Sequence, residues 1–203
     1  MKITALQKKK KYLTAVYIDL EYALDLDTRI LEENRILPDT EIDDDRLREL
    51  ISQSEHRRAK EKALWLISFR DHSSKELFLK LKRDFREDVA EATVERMREL
   101  RLIDDESFAR RLAKDLHSKH LSEQNIRMKL MEKGIDRDFA ESVAQELDID
   151  PVEEISILIE KKYSKKISDE TGRRRTVAAL QRAGYKWSDI KSALMRFTND
   201  NYD

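Results

Sequence analysis

Two hundred and three residues, 39% of them hydrophobic, can supply the cores of one or two ordinary domains, while 41 basic side chains nearly cancel 42 acidic ones. The absence of cysteine excludes disulfides, thiolate metal sites and cysteine nucleophiles, and three scattered glycines, Gly134, Gly172 and Gly184, cannot form a clustered phosphate-binding loop. A surface so densely charged with both signs favours salt-sensitive protein contacts, but it lacks the basic excess that drives generic binding to a phosphate backbone.

The first eleven residues are polar and lysine-rich, and no run approaches the roughly 18 apolar residues that span a bilayer, so the sequence predicts a soluble, unprocessed, cytoplasmic protein. Short runs of β-formers, Ile3–Leu6 and Tyr12–Ile18, flank the stretch Lys8-Lys9-Lys10-Lys11 and predict a small hairpin, with a third short strand near Tyr22 to Leu26. A short helix is predicted over Asp27 to Asn34, a turn at Pro38, and a helix N-terminus at Asp43-Asp44-Asp45, where negative charge is welcome. From there the chain reads as helix.

Sliding the sequence on itself exposes an internal repeat: Leu81, Leu130 and Leu180 stand 49 and 50 residues apart. Glu76–Leu81 matches Asn125–Leu130, a glycine follows the leucine by four in the second and third copies (Gly134, Gly184), and an apolar residue returns at Val94, Val143 and Leu194. Each copy is then three helices long. The predicted boundaries are a front segment 1–53, then repeats 54–101, 102–150 and 151–203, an elongated, mostly α body of tandem three-helix repeats behind a small N-terminal β-hairpin.

Helix starts are predicted as a capping box at Ser73 with Glu76, a similar one at Asp88 with Glu91, and caps at Asp104, Ser122, Asp136 and Ser188. Gly134 and Gly184 fall where a helix ends in a left-handed residue, whereas the first copy has Phe85 there and must turn differently. Buried faces are predicted at Leu64, Ile67 and Phe69, and at Phe108, Leu112 and Leu116, with Trp65 and Trp187 also in cores.

Catalytic and metal chemistry finds little support. His117 and His120 lie three apart without the companions of a zinc motif, and His56 and His72 fare no better. Asp43–Asp45 lacks the spacing of a calcium loop, and Asp104-Asp105 fits a helix cap better than a magnesium site, with Ile103 and Phe108 entering the core. Ser73, Ser74 and Ser122 read as caps, so no cofactor is expected.

The basic clusters are Lys8 to Lys11, Lys80 with Lys82 and Arg83, Lys161-Lys162 with Lys165-Lys166, and Arg173-Arg174-Arg175. Solvated helix faces are their default reading, and partner contact the sharper one. Arg70 stands after the apolar phase of its helix and before the Ser73 cap, where it either ties two helices together or faces a partner.

The string Ala63-Leu64-x-x-Ile67-x-x-Arg70-x-x-Ser73-Ser74-x-Glu76-Leu77-x-x-x-Leu81, then Leu102-Ile103-Asp104-Asp105-x-x-Phe108-Ala109, then Ile126-x-x-x-Leu130-x-x-Lys133-Gly134-Ile135, resembles the regulatory protein RecX family in order and spacing. The third copy, with Leu180, Gly184 and Ser188, resembles the family's later repeat. Phe85 departs from the pattern, and the chain stops soon after the third copy; a missing C-terminal repeat would shorten the binding surface. The resemblance implies a monomeric, non-enzymatic protein that lies along the RecA–DNA filament and modulates ATP hydrolysis and strand exchange, usually as an inhibitor, in recombinational repair and the SOS response. Competing readings from the residues are a helical DNA-binding protein, contacting single- or double-stranded DNA, and a generic helical-repeat adaptor.

Overall fold

In a computed structural model, which describes residues 1–10, 12–167 and 169–199, the chain divides into two halves, Met1–Ile103 and Asp104–Asp203. Lys11 of the first basic cluster and residues 200–203 of the third expected repeat lie outside the described residues.

The first half opens with an antiparallel sheet in the order β1 (Ile3–Lys10), β2 (Leu13–Ile18), β3 (Glu21–Asp27). Alternation decides its faces: Ile3, Val16 and Leu26 point into a core completed by Ile30 and Leu31 of α1 (Thr28–Glu33), by Ile36 and Ile42, and by Leu50 of α2 (Asp44–Phe69). A two-residue turn, Asp19 and Leu20, joins β2 to β3 with φ of 49° and 76°, the left-handed geometry that matches the twist of a tight hairpin. The lysine stretch extends β1 instead of ending it. Lys9 reaches Asp25 at 2.9 Å and lies over the Tyr22 ring.

α2 is a single helix of 26 residues that runs through Ser54, where the sequence puts the start of the first repeat. Asp43 caps it by accepting from the Arg46 amide, as its acidic start predicts. One turn of α2 is stitched to the sheet at a buried carboxylate: Asp27 caps α1, its own amide donates to Ser54 Oγ at 2.8 Å, and Arg57 Nε lies 3.3 Å from its Oδ1. Further along, Ala63 and Leu66 change partners and pack with α3 (Ser74–Leu81) and α4 (Glu87–Glu99) around Leu77, Leu81, Ala90, Val94 and Met97.

The second half repeats this three-helix plan twice. α5 (Asp105–His117), α6 (Glu123–Glu132) and α7 (Arg137–Gln145) enclose Phe108, Ala113, Leu130 and Val143. α8 (Pro151–Leu158), which continues as a π-helical turn over Ile159–Tyr163, joins α9 (Glu170–Arg182) and α10 (Trp187–Asn199) around Ile155, Leu180, Tyr185 and Leu194.

The three repeat leucines are all fully buried, and the joints that follow them explain their uneven spacing. After α6 the Ile135 amide donates to the Leu130 carbonyl and the Gly134 amide to that of Met131; after α9, Tyr185 and Gly184 do the same to Leu180 and Gln181. These are Schellman ends, which need φ near +87° at the glycine and bring the next apolar residue back onto the leucine. After α3 the turn is one residue shorter: the Phe85 amide donates directly to the Leu81 carbonyl, and the Phe85 ring packs where Ile135 and Tyr185 pack in the other copies. The missing residue accounts for 49 against 50.

Five expectations are corrected. Asp88 does not cap α4; because the turn is short the cap is Arg86, whose amide is taken by Glu55 of α2. Ser188 is the second residue of α10, so its hydroxyl bonds Asp189 instead. Trp65 is 53% exposed because it stands about 200° around α2 from buried Ala63. Phe69, in the last turn of α2, is 69% exposed, and Trp187, the first residue of α10, is 54% exposed beyond the end of its core.

Replacing Asp27 by alanine removes a cap and leaves Arg57 only its more distant partner Glu33, and should lower stability by about 2–4 kcal/mol in urea unfolding. Gly134→Ala should cost about 1–2 kcal/mol for the left-handed backbone. Gly184→Ala should cost more, because its Cβ would lie 2.3 Å from Ser122 Oγ and 2.8 Å from Asn125 Cγ; equal losses at the two glycines would contradict the packing described.

Candidate functional site

Among the predicted contact residues, Arg70 follows the last turn of α2 and clasps Glu76 in the first turn of α3, Nη1 to Oε2 at 3.0 Å and Nη2 to Oε1 at 3.3 Å. The same Glu76 gives its amide to the Ser73 cap, so Arg70 ties the two helices together while half of its side chain remains in solvent. Lys82 lies over the Phe78 ring and 2.6 Å from Glu87, and Lys80 and Arg83 flank it at the end of α3.

The third and fourth basic clusters are brought together. Lys161 and Lys162 lie on the π-helical turn, Lys165 and Lys166 on the loop that follows, and that loop presses so closely on α9 that a Cβ on Gly172 would fall 1.7 Å from the Lys166 carbonyl oxygen. Only glycine admits such a contact. Asp169 caps α9 through the Gly172 amide, and Arg173, Arg174 and Arg175 follow on exposed positions, Arg174 pairing with Glu170 across one turn. The segment carrying Lys161, Lys162, Lys165 and Lys166 therefore meets the first turns of α9, which carry Arg173–Arg175, at one backbone contact in the second half.

The histidines behave differently from a metal pair. His117, the last residue of α5, and His120, in the following loop at φ 56°, both converge on Glu154 of α8: Nε2 of the first lies 2.9 Å from Oε1, and Nδ1 of the second 2.6 Å from Oε2. An ionised carboxylate only accepts, so each facing ring nitrogen carries the proton. Burial works against the charge of Glu154, but the two imidazole hydrogen bonds more than offset it and hold the carboxyl below its ordinary range. The buried Tyr185 hydroxyl donates to the His120 carbonyl at 2.9 Å; burial, helped by the Glu154 charge, pushes its phenol far above the ordinary value. Close by, Asn125 donates to the Arg182 carbonyl and the Ser122 amide to that of Ala183, so orphan carbonyls at the end of α9 find partners on the preceding repeat. This cluster joins the α5–α7 and α8–α10 groups. The sequence signalled only the spacing of the two histidines, because Glu154 lies 34 residues further on.

Asp104 caps α5, accepting from the amides of Glu106 and Ser107 and from the Ser107 hydroxyl; the Ser107 bonds hold its carboxyl below its ordinary range. Beside the histidine cluster a cleft of about 300 Å³ is lined by Ser122, Arg127, Glu141, Lys186 and Asp189, a polar wall of both signs unlike the mostly apolar wall of small-molecule sites. No helix among the described residues is long and apolar enough to cross a membrane.

Two family models match the chain, the first three-helix domain of RecX over residues 59–97 and the second over 104–143. A regulatory protein RecX from Clostridium acetobutylicum is 27% identical over 96% of this chain and 94% of its own length, and one from Clostridioides difficile is 25% identical over 97% and 95%. The chain thus matches two RecX domain models and resembles regulatory proteins RecX along nearly its whole length. A crystal structure of a regulatory protein RecX superposes with a TM-score of 0.63 at 20% identity, covering 95% of this chain and 98% of that one, which places the same tandem three-helix fold along nearly the whole length. The matched spans begin within α2 and at the Asp104 cap, and they take in Arg70, Ser73 and Gly134 of this chain.

Because Glu154 is held below its unfolded value, its contribution is fully present above the ordinary glutamate range near pH 4.5 and disappears as pH falls through the lowered value. The stability gap between the natural chain and Glu154→Gln, measured by urea unfolding, should therefore be wide at pH 6 and close by pH 3.

Proposed function

We propose that this chain is a non-catalytic regulator that binds the RecA recombinase filament and modulates its ATPase and strand exchange, in the direction of inhibition, during recombinational repair and the SOS response in the cytoplasm. The observation that carries the reading is one three-helix unit repeated along the chain, two copies of it matching RecX models. A helical polymer presents the same face at regular intervals, and a monomer built of repeats can meet successive protomers with a modest contact from each. The front segment 1–53 and the repeats 54–101, 102–150 and 151–203 are the natural contact blocks in this reading. Lys161, Lys162, Lys165, Lys166 and Arg173–Arg175, on segments that meet at Gly172, are the densest group of cations among the predicted contacts, suited to an acidic groove.

The surface also supports this reading over generic duplex binding, since 42 acidic residues interleave with 41 basic ones and would repel a continuous phosphate backbone at many points. The test is RecA ATPase on single-stranded DNA with increasing amounts of the protein. The rate should fall at protein levels well below those of RecA. Reversing any one of the seven cations should change the half-effective concentration by less than about threefold, as expected of exposed charges, whereas removing residues 151–203 should raise it sharply. An unchanged rate would refute the proposal, and equal losses from both changes would refute the distributed contact.

A further inference from the structure

The outer side of α2 carries a feature that neither a core nor a solvated helix face explains. Arg58, Lys62, Trp65 and Phe69 recur at intervals of four, three and four residues and so form one stripe along the helix. The two rings touch edge to face at 4.8 Å between centroids, yet 53% of Trp65 and 69% of Phe69 remain exposed. Lys62 Nζ lies 4.9 Å from the Trp65 ring centre. The short turn after α3 is held against the same stripe, with Asp84 at 3.7 Å from Lys62 and the Phe85 ring 5.9 Å from the Arg58 guanidinium, and it adds Lys82 and Arg83.

We propose that this stripe is a binding surface for single-stranded nucleic acid, in which unpaired bases stack on Trp65 and Phe69 while Arg58, Lys62 and Arg83 hold the phosphates. Alternating cations and exposed rings are what such a strand requires, because every unpaired base offers a flat π-face and every linkage a negative charge. A duplex hides its base faces within the stack, and an acidic peptide would satisfy the cations while leaving the rings without flat partners. From Arg58 to Phe69 the helix rises about 16 Å, room for roughly four nucleotides at the 3.4 Å spacing of a stacked strand. Asp84 is half exposed and meets Lys62 at a distance where an ion pair contributes little, so a phosphate can replace it, while exposed Glu61 on α2 and Glu87, paired with Lys82, are the acids a strand must skirt. The surface does not rest on the filament reading, since it is defined by the first half alone and is tested without RecA.

The chain has two tryptophans, so Trp187→Phe leaves Trp65 as the only indole, excited selectively over the tyrosines. Titrating that variant with a twelve-residue oligothymidylate should quench Trp65 saturably, with affinity falling as salt rises, while polyglutamate at the same charge concentration should not quench it. In the otherwise natural chain, fluorescence anisotropy of the labelled oligonucleotide should show Phe69→Ala and Trp65→Ala each weakening binding by about five- to a hundredfold, the range of one lost base stack. Trp65→Phe should retain most of the affinity. Both side chains are exposed, so the thermal midpoint should stay unchanged, which separates lost contact from lost fold. Absence of quenching, equal quenching by polyglutamate, which would make the partner an acidic protein segment, or alanine variants that bind as well as the natural chain would each overturn the proposal.

Discussion

A bundle of three short helices has too little interior to be stable alone, and the joints of this protein answer that constraint. α2 serves two cores at once: Leu50 closes the sheet, and four turns later Leu66 enters the bundle with α3 and α4. The Asp27, Ser54 and Arg57 contact fixes where along the helix the change of partner occurs. Between the α5–α7 and α8–α10 groups no helix is shared, and Glu154 with its two histidines performs the corresponding task, joined by Asn125 and Ser122 at the end of α9. The polar groups buried at these joints are matched donor to acceptor, as their partial withdrawal from water requires.

The second regularity is the way the middle helix of each group ends. Two copies use a glycine in the left-handed region and one uses a turn shorter by a residue, but all three return an apolar side chain to the same leucine. The interior thereby stays constant while the solvent side is free to vary. Lys82 and Arg83 follow Leu81 in the short turn, where Gln181 and Arg182 follow Leu180. Variation that leaves the core unchanged is how a repeat scaffold acquires distinct surfaces on equivalent positions.

Two such surfaces differ in kind. The cations around Gly172 are gathered by a close backbone contact and have no aromatic side chain among them except Tyr163, beneath Lys166. The α2 stripe has fewer cations and two exposed rings. The first suits a charged protein groove and the second an unpaired strand, and a nucleoprotein filament contains both chemistries. The half-buried histidine cluster belongs to neither surface; its facing atoms are occupied in holding two helical groups together.

Much of this was legible in the sequence. The repeat of Leu81, Leu130 and Leu180 is found by comparing the chain with itself, and the caps at Ser73, Asp104, Ser122 and Asp136 and the glycine ends are local, because each depends on residues within about six positions of one another. The third strand was legible for the same reason. Tertiary structure decided what depends on distant partners: that Glu154 lies between His117 and His120, that Glu55 takes the Arg86 amide, and that Asn125 donates to the Arg182 carbonyl. It also decided the exposure of Trp65 and Phe69, since an aromatic residue near an apolar phase reads as core until the position of the neighbouring helices shows which side of α2 they leave uncovered. Local hydrogen-bonding geometry is written in neighbouring residues, whereas burial is a property of the assembled packing.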